Sequence, residues 1–266
     1  MTPNMPAFER IMRISTQYFL GILFLLITFT AMPVSAQTSD LHMKQGDIFY
    51  RQFNNRNALA SYKKALETQP NNFDCMSKVV RAYNDIGDDL SSEESEQYYE
   101  QAVQYAERLQ QMFPDKAESY YRLAVSYGNL ALLRGSKEKV KLSGSVEKNI
   151  RKALAMKPDY ADAYVVLGIY YKEVAGLNSF LKAFARLFFG DLPEGTYDDA
   201  LKAFQRAIAL KTTRPVYTSF LMGDTYEYMD EPEKAQHAYL KATRFPDTDH
   251  RDHAVKERAR NRLRSL

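Results

Sequence analysis

A pattern of small, aromatic and proline residues returns five times along this chain, and it constrains the fold more than any other sequence feature. The clearest copy contains Gly46, Phe49, Ala58, Tyr62, Ala65 and Pro70. Ala58 and Ala65 are two helical turns apart, so both would face a neighbouring helix and let its backbone come close. Pro70 would end the second helix of the copy. The pattern therefore predicts antiparallel helix pairs that must stack on one another to bury their apolar faces.

This spacing resembles the tetratricopeptide repeat, a helical hairpin of about 34 residues. We expect an all-α fold, namely a right-handed superhelix of about five helical hairpins plus a C-terminal capping helix. The expected hairpins cover about 39–72, 73–116, 117–160, 161–214 and 215–248, and the expected cap covers 250–266. An apolar stripe that includes Val255 and Ala259 predicts the cap. Residues 37–266 would then form a single repeat domain.

Three copies carry additional residues between their two helices. In the second copy, Asp88 to Ser95 is predicted to lengthen the turn, and in the third, a segment with Gly135, Gly144 and several lysines is predicted to form a flexible basic loop.

The fourth copy has the longest insertion, over 175–197, and it predicts a short amphipathic helix. Its apolar face consists of Phe180, Leu181, Phe184 and Phe188. This face would either pack on the adjacent hairpins or bind a partner helix or an acyl chain.

The N-terminal segment has the order of an export signal. Two arginines precede an apolar run over 18–32, and small residues lead to Ala36, which is followed by Gln37. This order is typical of a secretory signal peptide, here 1–36, cleaved after Ala36. The run is shorter than the roughly 20 residues of a membrane-spanning helix. We expect an exported protein, periplasmic or associated with the cell envelope; the alternative is anchoring by an uncleaved N-terminal helix.

Charge and cysteine content limit the classes of partner. The formal net charge is +3 and Cys75 is the single cysteine, so no internal disulfide is possible. A nearly balanced charge gives no indication of a nucleic-acid partner. Translation could begin at Met1 or at Met12, and both starts retain the export signal.

No set of residues predicts catalysis. We find no nucleophile accompanied by a base, and only His250 and His253 have the spacing of metal ligands, without a third ligand. Gly190 and Gly195 follow a helix, which is the wrong context for a phosphate-binding loop. We therefore expect no enzymatic activity, no cofactor and no metal.

The concave side of a superhelix is the expected binding surface, because the first helices of the hairpins line it. The repeat register places ten candidate groove residues there: Tyr50, Arg51, Arg81, Asn84, Tyr121, Asn129, Lys172, Glu173, Asp224 and Tyr228. Tyrosine and arginine suit contacts with a peptide. Met43 and Asp47 occupy the positions where chaperone-binding repeats carry Lys and Asn, so chaperone tails are not expected partners.

Part of the chain resembles a particular family. The matching residues are Leu167-Gly168, Gly176-Leu177, Phe189-Gly190, Pro193, Thr196-Tyr197 and Ala200-Leu201. They resemble the C-terminal helical-repeat domain of the regulator of microtubule dynamics family, over roughly 115–262, whereas the first two hairpins match only the general repeat. The resemblance implies association with microtubules and, in membrane-anchored members, with organelle contacts and lipids.

The sequence thus predicts an exported helical-repeat scaffold that binds an unidentified protein or peptide. Two alternatives stay open. One is a component of an envelope transport pathway that binds a lipid or a small apolar ligand. The other is a membrane-anchored regulator associated with microtubules or organelle contacts, as in the family it resembles. The oligomeric state is not predicted.

Overall fold

A computed structural model describes residues 34–179, 181–183, 186 and 195–266. These residues contain helices and connecting turns, with no β-strand among them. In chain order the helices are α1 (Val34–Arg51), α2 (Asn55–Thr68), α3 (Phe73–Asp88), α4 (Ser92–Met112), α5 (Ala117–Leu133), α6 (Ser136–Met156), α7 (Ala161–Ala175), α8 (Tyr197–Ala209), α9 (Pro215–Tyr228), α10 (Pro232–Arg244) and α11 (Asp252–Ser265).

The helices pair as the repeat pattern requires. α1 packs on α2, α3 on α4, α5 on α6, α7 on α8 and α9 on α10, and each pair contacts the next. The final helix, α11, packs on α9 and α10 through Val255 and Ala259. The predicted fold class, an all-α superhelix of helical hairpins with a C-terminal cap, is confirmed.

Glycines let aromatic rings sit against the first helix of four hairpins. A Cβ atom added to any of these glycines would lie 2.4 Å from a ring carbon of the second helix. The pairs are Gly46 with Tyr62, Gly87 with Tyr99, Gly168 with Phe204, and Gly223 with Tyr239. The repeat therefore needs a glycine there because the ring occupies the space of a side chain.

The predictions for the insertions in the second and third copies were wrong. Residues 92–95 form the first turn of α4, and the segment after Gly135 forms the beginning of α6 instead of a loop. The first segment contains two glutamates and the second contains three lysines and a glutamate, and both residue types have high helix propensity. Gly144 is exposed, so it destabilises the helix only through the lower helix propensity of glycine. The additional residues therefore lengthen the second helices.

Local capping fixes where several helices begin. The side chain of Asn72 accepts a hydrogen bond from the backbone N–H of Cys75 at the start of α3. Thr196 and Asp199 form a capping box at the start of α8. Cys75 itself is fully buried in the core of the first two hairpins.

Several predicted features fall on residues outside the described part of the chain. These include Phe180, Phe184 and Phe188 of the insertion face and residues 1–33 of the predicted signal. Leu181 of the same face is described and half-buried, and Ala36 and Gln37 lie in the first turn of α1. Among the described helices, none has the length and apolar character needed to cross a membrane.

Candidate functional site

The concave side of the superhelix contains a cavity of about 440 Å³. Helices α5, α6, α7 and α9 form most of its wall, and α11 closes one side. Its apolar lining includes Val125, Leu132, Val146, Val166 and Ile169. Cavities of about 300–1,000 Å³ with apolar walls and a few polar groups are the usual form of ligand sites.

Two guanidinium groups border the cavity without a carboxylate partner. Arg214 precedes α9 and Arg258 lies on α11, and neither forms an ion pair with any described residue. The Arg214 guanidinium lies 4.7 Å from the ring centroid of Tyr217, and that of Arg258 lies 4.6 Å from the centroid of Phe220. The other two cationic groups on this wall are paired: Lys139 with Glu173 at 2.6 Å, and Arg251 with Asp85 at 3.1 Å. The two arginines thus place positive charge beside an apolar space that the carboxylates of Asp88, Asp162 and Glu173 also border.

The C-terminal segment reaches back across the concave side to the second hairpin. The Arg251 guanidinium lies 3.1 Å from a carboxylate oxygen of Asp85 and 2.5 Å from one of Asp88, both on α3. His250 Nε2 lies 2.8 Å from Asp89 Oδ1. We call these contacts of Asp85, Asp88 and Asp89 with His250 and Arg251 the closing contact, because they join the second hairpin to the C-terminal end of the superhelix.

The turn before α11 holds Arg251 in position. The buried carboxylate of Asp252 accepts hydrogen bonds from the backbone N–H groups of Thr248 and Asp249. Asp249 in turn pairs with the Arg251 guanidinium at 2.7 Å. Burial acts to raise the pKa of Asp249, but hydrogen bonds and charge from Arg251 outweigh it and lower that pKa to about 2.

Four of the ten candidate groove residues act as internal supports, and one of the four, Asn129, also lines the cavity. The Arg81 guanidinium lies 3.7 Å from the ring centroid of Tyr50. Asn84 is buried and donates to Ser126 Oγ at 2.9 Å, which joins α3 to α5. Asn129 donates to Asn84 Oδ1 at 3.0 Å. These side chains connect neighbouring hairpins along the concave side.

The other candidates divide between the cavity and its surroundings. Tyr121, Asn129 and Glu173 line the cavity, and burial raises the pKa of Tyr121 to about 12. Lys172 pairs with Asp224 at 3.1 Å and lies 5.6 Å from the ring centroid of Tyr228. Tyr228 is exposed and stacks on Tyr197. Arg51 is exposed at the end of α1.

Sequence reasoning did not identify Arg214, Arg251 and Arg258 as parts of this site. The available signal was the acidic group at Asp85, Asp88 and Asp89, which needs a cationic partner when it lies on a concave surface. His250 belongs to the closing contact and is engaged by Asp89 and Asp249. Within the residues that the structure covers, no three His, Cys, Asp or Glu side chains are arranged to hold a metal ion.

A known protein family matches most of this chain. The profile of "RMD1-3: Regulator of microtubule dynamics protein 1-3" matches residues 42–266. The chain belongs to the regulator of microtubule dynamics family. The match begins in α1, so the resemblance seen in the sequence over roughly 115–262 was too narrow, and the first two hairpins also belong to the family.

The relatives within the regulator of microtubule dynamics family are distant in sequence. Regulator of microtubule dynamics protein 1 of Bos taurus is 22% identical over 99% of this chain and 84% of its own length. The Rattus norvegicus protein 1 is 24% identical over 71% of this chain, and the match spans 62% of that relative.

Among solved structures, TTC0263, a thermophilic TPR protein of Thermus thermophilus, superimposes with a TM-score of 0.65 at 17% identity. The match covers 85% of this chain and 98% of that protein's chain. This similarity shows the fold alone, a helical-repeat superhelix.

Proposed function

We propose that this protein is an exported scaffold without catalytic activity that binds a segment of a partner polypeptide on its concave side. The cavity inside the superhelix is the observation that carries the proposal. Its apolar lining includes Val125, Val166 and Ile169, and Tyr121 and Tyr217 add large, rigid contact area with polar ends. An apolar side chain of the partner would enter the cavity while the partner backbone contacts the rim.

A substitution inside the cavity tests this proposal. Ile169→Arg would place a charge where the partner's apolar side chain enters, and burying an unpaired charge is unfavourable. Leu240→Arg is the matched control, because Leu240 is exposed on α10 and does not line the cavity. The two variants and the unmodified chain would be compared as affinity baits on extract from the native cell envelope.

The proposal expects a polypeptide that the unmodified chain and Leu240→Arg both retain and that Ile169→Arg loses. Equal retention by all three would contradict binding through the cavity. Thermal unfolding of each variant would show whether a loss of polypeptide binding is caused by misfolding.

A second candidate function is the binding of a small apolar ligand with an anionic group. Arg214 and Arg258 favour it, because two guanidinium groups without ion-pair partners among the described residues border an apolar cavity. A carboxylate or phosphate could pair with them while a hydrocarbon portion fills the cavity.

Native mass spectrometry of the protein from its natural source distinguishes the two candidates. A retained small molecule that Arg258→Gln loses supports ligand binding. The empty chain, together with a captured polypeptide, supports the scaffold proposal.

Export is part of the proposal, and it rests on the order of the N-terminal segment. The expected mature protein begins at Gln37, after removal of 1–36. N-terminal sequencing of the protein isolated from cell fractions tests this. A full-length chain in the membrane fraction would contradict cleavage and favour anchoring by an uncleaved N-terminal helix.

A further inference from the structure

We propose that the closing contact is a latch, and that its release lets α11 move and opens the cavity to ligands. This inference goes beyond the proposed binding function, because it concerns access to the cavity and not the identity of what binds there.

The first observation is the position of α11. Arg251, immediately before this helix, and Ala254, Val255 and Arg258 in its N-terminal half contribute to the cavity wall. These residues follow the spacing of one helix face, so this side of the cavity consists of a single helix surface. Displacement of that surface would open the cavity.

The second observation is the difference between the two attachments of α11. Val255 and Ala259 are buried against the last hairpin, in an apolar core that includes Phe220 and Tyr239. Towards the second hairpin, in contrast, the described contacts are those of charged and polar side chains, above all Arg251 with Asp85 and Asp88. The apolar attachment would persist when the charged one is broken, so α11 can open without unfolding.

The third observation is a residue with a strained backbone in the first hairpin, which contacts the latch. Phe53 has a φ of 57°, a left-handed conformation that a bulky residue adopts only at a cost. Its ring centroid lies 5.0 Å from that of His250. The hairpin end that carries Phe53 thus contacts the latch residue, although the two residues lie in the first and last parts of the repeat array.

A cysteine in the cavity wall can report on opening. Val146 lines the cavity and is 5% exposed, so Val146→Cys is a small change at a protected position. Cys75 provides an internal reference, because it is fully buried in the core of the first two hairpins, away from the cavity. Iodoacetamide alkylation of both thiols would be followed over time by peptide mass spectrometry.

Release of the latch is produced by Arg251→Gln in the Val146→Cys chain. The matched control is Arg260→Gln, because Arg260 is exposed on α11. A minor open state is typically populated at up to about 10%, so removal of the latch should accelerate alkylation at position 146 about tenfold or more. Alkylation of Cys75 should stay unchanged, and Arg260→Gln should leave both rates unchanged.

An equal rate at position 146 in the Arg251→Gln and Arg260→Gln chains would overturn the proposal. Acceleration at both position 146 and Cys75 would also overturn it, because it would show general loosening in place of a latch. If Arg251→Gln does not fold, Asp88→Asn, which removes one of the two α3 carboxylates that pair with Arg251, is compared with Arg260→Gln in the same Val146→Cys chain. Faster alkylation at position 146 alone supports the latch, and no change contradicts it. None of these outcomes depends on the partner.

Discussion

Replacement of Gly223 by alanine tests the packing of the repeat most sharply. The added Cβ would lie 2.4 Å from Cε1 and 2.5 Å from Cδ1 of Tyr239. Real Cβ atoms do not approach other atoms this closely, so the ring or the helix must move. Tyr239 is fully buried between α9 and α10 in the apolar core of the last hairpin, so a shift of its ring would displace neighbouring core residues.

Two opposite effects set the expected magnitude. Alanine in the middle of a helix is more favourable than glycine by roughly 0.5–1 kcal/mol. Overpacking a dense core costs about 1–3 kcal/mol and sometimes more. We expect Gly223→Ala to lower the free energy of unfolding by about 1–2 kcal/mol, because the clash involves a ring that is held on all sides.

Gly128→Ala is the matched control. Gly128 also lies within a helix, but its nearest neighbour, Val146 Cγ2, would be 3.9 Å from the added Cβ, which is an ordinary contact. This variant should be more stable than the parent by roughly 0.5–1 kcal/mol. Urea unfolding followed by far-ultraviolet circular dichroism, with both variants under identical conditions, measures the difference. Equal stability of Gly223→Ala and Gly128→Ala would refute this explanation of the packing.

Three further predictions follow from the contacts. Because the pKa of Asp249 is lowered from 3.8 to about 2 in the folded chain, its contribution to stability is complete above about pH 4 and is lost as the pH falls through about 2. Asp249→Asn should therefore be about 2 kcal/mol less stable than the parent at neutral pH. The stability curves of the two proteins against pH should converge near pH 2, and parallel curves would contradict this. Asn84→Ala should lower the free energy of unfolding by about 1–3 kcal/mol, because it removes the hydrogen bonds of the buried Asn84 side chain with Ser126 and Asn129 that join α3 to α5. Asn57→Ala, at an exposed position, is the control, and equal urea midpoints would count against the role of Asn84. A secreted chain beginning at Gln37 is expected by N-terminal sequencing, and any other start disagrees with the predicted signal.

The sequence predicted the hairpins because their packing is local. Ala58 and Ala65 mark the close helix contact, and Tyr62 marks the ring that fills it, all within one repeat of the pattern. The buried positions of these three residues follow directly from helical spacing. Copies of the same pattern then predict how each hairpin stacks on the next.

The lengthened second helices of the second and third hairpins were not predicted, because residues that indicate a loop and residues that favour a helix occur together in these segments. Gly135 and Gly144 suggested a loop, whereas the lysines and glutamates around them favour a helix. Gly144 is exposed, so no packing interaction prevents the helix from continuing past it. The positions of α4 and α6 in the array, which support a longer helix, are not encoded in any one copy.

The cavity and the closing contact were beyond prediction for a different reason. Asp85 and Arg251 meet although they lie 166 residues apart in the chain. Their approach depends on the summed rotation of every hairpin between them, and small differences at each step move the ends by large distances. The repeat register of the first helices placed Tyr121 and Asn129 on the concave side. This register could not show that α11 would lie across the concave side.

Photo-crosslinking from inside the cavity shows whether the concave cavity is the binding site. A benzophenone amino acid would replace Ile169 in one chain and the exposed Leu240 in another, and both would be irradiated in intact cells. We predict a discrete adduct from position 169, either a polypeptide or a small molecule, that position 240 does not give. No adduct from position 169, or the same adducts from both positions, would contradict binding in the cavity.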